Sequence, residues 1–286
     1  MIDTLSAIFE RNNPSSKAES PPPITATFLS LNANSSCYDI YKTEAKADTK
    51  IDKAIFVLID ETTFFNNSLQ EQILKNSIKH IEAGNYIYIA KFSAFIGNHY
   101  NEKVFEFKLD KPLDDKQRYN ERKDSLKKID KCLKDQVGFA KVQTVENIKK
   151  SFLKPDEEIA KSDIFYALDD FGKNVISKIE ADEKIVILAS DLLENSTISS
   201  FYSKGTTRII DSKKEIQIVE KNNLISDFGG ASLYVVGTGI VTGKNSTTYR
   251  DPKILISLKN FWEEYFSKSN ANLVELGQPA LKNDIK

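Results

Sequence analysis

Residues 54–63 read Ala54-Ile55-Phe56-Val57-Leu58-Ile59-Asp60-Glu61-Thr62-Thr63. Six consecutive apolar residues are what a strand covered on both faces requires, because a half-solvated strand would alternate with polar residues. The run breaks into Asp-Glu-Thr-Thr. Leu69, Ile73, Ser77 and Ile81 then recur at helical spacing, with Gly84 as the expected stop. The same pattern returns at 184–191, Lys-Ile-Val-Ile-Leu-Ala-Ser-Asp, and at 232–237, Ser-Leu-Tyr-Val-Val-Gly. Weaker strand patterns lie at 86–92 and 104–109. Helical spacing links Ile164, Leu168, Phe171, Val175 and Ile179, and residues 213–225 read as a further helix. Asp251-Pro252 predicts the start of the last helix, with an aspartate cap, proline in the first turn and Leu255, Leu258, Trp262 and Tyr265 on its face.

Strands alternating with helices predict an α/β fold, a doubly wound, mostly parallel sheet with helices on both faces. Residues 1–50 read as a flexible arm, with Pro21-Pro22-Pro23 and an expected edge strand over 24–31. The main domain spans 51–268, and 269–286 read as a polar tail. Within the domain, 113–155 is a long helical insertion with Arg122, Leu126, Ile129, Leu133, Val137 and Ala140 as its stripe. An apolar stripe of that length must cover something.

Composition removes several function classes. The chain has 286 residues, 40 Lys+Arg against 41 Asp+Glu, and a formal net charge of −1, so no global field draws it to nucleic acid or an acidic membrane. Residues 111–135 hold nine basic and six acidic residues, mixed rather than segregated, as on a solvated helix face. No stretch is apolar enough to span a bilayer. The first 25 residues carry no secretory pattern, so the expected compartment is the cytoplasm, the periplasm or exterior staying open if a signal was removed. Cys37 and Cys132 exclude a disulfide-dense scaffold; they read as free thiols in a reducing cell, or as one bridge between arm and insertion in an oxidising one. His80 and His99 have no nucleophile setting and read as surface residues. The glycines at 237, 239 and 243 before Lys244 miss the phosphate-loop spacing, with gaps of five and three residues and Asn245 after the lysine.

In open parallel sheets, ligands gather beyond the carboxyl ends of the strands. Two apolar strands end there in aspartate, Asp60 and Asp191, and Ser162-Asp163 opens a helix between them. Carboxylates at one sheet edge repel unless a cation or donors compensate, and an oxygen-only set suits a hard cation such as Mg²⁺. The bland reading makes Thr62 or Thr63 a helix cap, and Glu61 and Glu194 solvated neighbours.

These residues resemble the von Willebrand factor A (integrin I-like) domain over about 53–268. That family's metal-ion-dependent adhesion site has an Asp-x-Ser-x-Ser turn, a later Thr five residues before Ala-Leu, and a final Asp. Here Asp60-Glu61-Thr62-Thr63-Phe64 stands at the turn, Ser162 stands five residues before Ala167-Leu168, and Asp191 ends the later strand. The resemblance carries over Asp60, Thr62, Ser162 and Asp191 as metal residues. Phe64 replaces the second serine, and Leu192 stands where members often have glycine. It implies a non-enzymatic module docking a protein partner at the carboxyl edge of the sheet, a partner acid completing the Mg²⁺ shell. Two alternatives stand beside it. One is a metal-dependent phosphoesterase or nuclease using Asp60 and Asp191, which lacks a visible base and further converging carboxylates. The other is a structural domain with a decayed site.

Overall fold

The computed structural model describes residues 36–41, 47–96, 99–152, 162–204, 206–240 and 251–286. The expected strand over 24–31, the residues after Phe152 up to 161, and most of the glycine loop lie outside these. So does the separate unit Met1–Ser35; everything described belongs to Ser36–Lys286.

The quoted run is the centre of the sheet. β1 (Ile51–Asp60) is buried from Ala54 to Asp60 and lies between β2 (Tyr86–Ile96) and β4 (Ala181–Ala189), parallel to both. β3 (His99–Lys108) adds antiparallel to β2. β7 (Ser232–Val236) and β8 (Asn272–Leu276) extend the other side in parallel. The order is β3-β2-β1-β4-β7-β8. Strand order reverses between β1 and β4, and in open α/β sheets ligands bind beyond the carboxyl ends of strands at such a reversal. β5 (Tyr202–Ser203) and β6 (Thr206–Thr207) form a separate small hairpin. The chain is therefore α/β with a six-stranded, mostly parallel mixed sheet.

The helices are α1 (Cys37–Ile40), α2 (Asn67–Lys79), α3 (Asp115–Asn120), α4 (Lys123–Ser151), α5 (Ile164–Asn174), α6 (Ser212–Lys221) and α7 (Pro252–Lys268). Ala54, Phe56 and Leu58 join one core with α5, α6 and α7, where Phe165, Phe201, Phe261, Trp262 and Tyr265 interlock. Side chains alternate across a strand, so Ile55, Val57 and Ile59 point the other way, and they are equally buried. α2 and α4 pack on each other, and α4 also contacts β2 and β3.

Several boundaries differ from expectation. α2 ends at Lys79, with His80 as its C-cap, and Gly84 serves the turn into β2 instead. The charged stretch is two helices, and the buried stripe of α4 runs through Ile129, Cys132, Leu133, Gln136, Phe139 and Ala140; Arg122 is exposed. His80 is buried, and burial lowers its pKa. The expected tail contains β8, and residues beyond it run back across the sheet end. Gly237 N–H donates to the Pro279 carbonyl at 2.7 Å. Gln72 then exchanges two hydrogen bonds with the Leu281 backbone, and Asn76 and Lys79 hold the Ile285 backbone. Leu281 and Ile285 are buried by this strap.

Cys37 and Cys132 are bonded, Cα atoms 5.8 Å apart, joining α1 to α4. Around the bridge, Asp110 accepts from the Cys37 amide and from the Gln136 side chain, and Tyr38 donates to the Lys111 carbonyl.

Candidate functional site

Register places the site. Ile59 of β1 pairs with Ala189 of β4, so Ser190 emerges beside Asp60. The Asp163 amide donates to the Ser93 carbonyl beyond Phe92, which is paired with Asp60, and this brings the start of α5 to the same rim. The Asn195 amide donates to the Ser162 carbonyl at 3.0 Å and ties the post-β4 loop to it. Three loops distant in sequence thus converge.

Asp60 is their centre and is fully buried. Its Oδ1 accepts from the Thr62 amide at 2.9 Å and the Thr62 hydroxyl at 2.6 Å. Its Oδ2 accepts from the Ser190 hydroxyl at 2.8 Å. Ser162 Oγ lies 3.4 and 3.3 Å from the two oxygens, a looser contact shared between both. Burial pushes the Asp60 carboxyl upward from its ordinary range, and the hydroxyl and amide donors pull it back down. Asp191 is one residue further on. Its amide donates to Thr63 Oγ1 at 3.2 Å, and its Oδ1 accepts from the Leu193 amide at 2.9 Å.

Of the four residues named from the sequence, Asp60, Thr62 and Ser162 are in direct contact, while Asp191 follows Ser190 and reaches the cluster through its backbone contact with Thr63. The capping alternative for Thr62 and Thr63 does not hold. The N-cap of α2 is Asn66, whose side chain accepts from the Leu69 amide at 3.0 Å. Phe64 turns outward and is 38 % exposed. Ser190 is a member of the cluster that spacing did not point to; the available signal was its place directly after the strand paired with β1.

The two glutamates also differ from expectation. Glu61 pairs with Lys91 at 2.9 Å. Glu194, expected in solvent, is buried, and its Oε2 accepts from the Phe165 amide at 3.0 Å, in the first turn of α5. Burial raises its pKa to about 8, against the opposing pull of Ser196 and the α5 amides.

Leu192 has φ +59, the left-handed region that a branched side chain enters at a cost of about 1–2 kcal/mol. It is held there from three sides. Its amide donates to Ser190 Oγ at 3.0 Å, its carbonyl accepts from Trp262 Nε1 at 3.0 Å, and its side chain is buried.

Chemically, the cluster offers neutral hydroxyl oxygens backed by carboxylates. Among the described residues, no three His, Cys, Asp or Glu side chains gather as metal ligands, so any cation here would depend on the hydroxyls. The donors are all oxygen, which fits a hard ion. Among the described residues, a shallow recess of about 420 Å³ lies elsewhere, at the turn from α7 into β8, lined by Glu263, Ser267 and Asn270 among others. No helix among the described residues is long and apolar enough to cross a membrane.

No protein-family model matches the chain, and no curated protein matches it. A solved structure, proximal thread matrix protein 1 from the mussel byssus, aligns over 77 % of this chain at 12 % identity with a TM-score of 0.34. The chain spans 47 % of that protein's length, and a likeness of this degree carries no argument about fold or function.

Proposed function

We propose that the chain is a von Willebrand factor A-like interaction module, with a doubly wound sheet whose carboxyl edge docks a protein partner through Mg²⁺. Asp60, Thr62, Ser162 and Asp191 hold the cation, and an acidic residue of the partner completes its shell. The observation that carries this is the convergence of Thr62, Ser162 and Ser190 hydroxyls on Asp60 at the point where strand order reverses. Each hydroxyl proton faces the carboxylate, which leaves oxygen lone pairs for a cation. Where hydroxyls rather than the two carboxylates make up most of its inner shell, that cation keeps enough charge to take one more carboxylate. The left-handed backbone at Leu192 adds support, since this is the position where the family often has glycine and glycine enters that region freely. The reading is of binding, not turnover.

Thermal unfolding of the full chain in EDTA and in millimolar Mg²⁺ or Mn²⁺ tests it. An ion that binds only the folded state adds about 2.7 kcal/mol at a hundredfold excess over Kd. The cation should stabilise wild type and leave Asp60→Ala unmoved. Equal stability of wild type with and without metal would end the reading. Cation-dependent hydrolysis of a generic phosphodiester would instead select the phosphoesterase alternative.

The compartment we propose is an oxidising one rather than the cytoplasm. The Cys37–Cys132 bridge supports this, since such bonds persist where thiols are not kept reduced.

A further inference from the structure

We propose that Ser190 supplies the third hydroxyl of the cation site, in place of the family serine that Phe64 has replaced. The inference rests on the reading above and adds to it a ligand that no motif assigns. Phe64 brings no oxygen and turns toward solvent. Ser190 is wholly buried, and its Oγ lies 2.8 Å from Asp60 Oδ2, closer than that of Ser162.

The hydrogen-bond inventory of Ser190 gives it the right polarity. A serine hydroxyl has one proton and two lone pairs. Its proton goes to Asp60, and one lone pair takes the Leu192 amide at 3.0 Å. The second lone pair remains for a cation. Thr62 is poised in the same way, its proton committed to Asp60 Oδ1. One carboxylate thereby orients both hydroxyls, and the loosely shared Ser162 completes a set of three neutral oxygens. The register of β4 against β1 fixes Ser190 there, so its placement depends on the sheet and not on the turn that Phe64 interrupts. The site is complete in oxygen count despite the lost serine.

The test titrates Mn²⁺ alone into the full chain, read by electron paramagnetic resonance of the free ion and by thermal shift. Removing a partner that only orients a metal ligand typically costs about 10–100-fold in affinity, so losing a ligand itself should cost at least about tenfold. Ser190→Ala should weaken Mn²⁺ binding by at least about tenfold, Ser190→Thr should retain it, and Phe64→Ser placed on Ser190→Ala should restore part of the loss. Should Ser190→Ala fail to fold, the near-isosteric pair Ser190→Thr and Ser190→Val reads the same difference. Unchanged affinity in Ser190→Ala, or in Ser190→Val relative to Ser190→Thr, with binding abolished in Asp60→Ala, overturns the role of Ser190 and leaves the site reading intact. No Mn²⁺ binding by wild type overturns both.

Discussion

Replacing Glu194 by glutamine should remove a pH dependence built into the start of α5. Glu194 is buried, and its carboxyl titrates near 8 when folded against 4.5 as an ordinary glutamate. Between those values the unfolded chain releases the proton and the folded chain keeps it, so stability falls as pH rises. Using about 1.36 kcal/mol per pKa unit, the penalty is about 1 kcal/mol near pH 5, about 3 near pH 7 and about 5 near pH 9. Glutamine is neutral throughout, and its carbonyl oxygen can still accept from the Phe165 amide. Urea unfolding of wild type and Glu194→Gln across that range measures the difference. The variant's advantage should grow by about 4 kcal/mol from about pH 5 to about pH 9. A difference that stays constant across the range would refute the reasoning, because it would mean Glu194 ionises in the folded protein as it does in water.

Two further outcomes are expected. Replacing both Cys37 and Cys132 by serine opens a link between residues 95 apart and should cost about 4–5 kcal/mol on the chain-entropy scale, lowering Tm by about 10 °C; an unchanged melting curve would show that the bridge constrains nothing. Ile285→Ala should cost about 2 kcal/mol and speed hydrogen exchange at the Leu281 and Ile285 amides, whereas Lys75→Glu, which breaks only the exposed pair with Asp284, should stay within about 1 kcal/mol.

The apolar runs at 54–59 and 184–189 were legible as central strands because burial on both faces leaves no alternation to misread. α7 was legible from its cap, where Asp251 accepts from the Lys253 amide and Pro252 sits in the first turn. β8 was not. Asn272–Leu276 has an exposed Val274 and no continuous apolar run, and it is a strand because β7 offers it an edge. Glu194 reads as solvated in any local window, since nothing nearby in sequence shows that α5 folds back over it.

By itself the sequence determined the alternation of strands and helices, since periodicity is a local property, and it offered Asp60 and Asp191 as polar residues following apolar runs. Only the tertiary structure decided that Cys37 meets Cys132, that residues after β8 strap onto α2, and that Ser190 stands against Asp60. Each of these joins residues 95 or more apart, and sheet register and helix packing, rather than any local preference, set those distances.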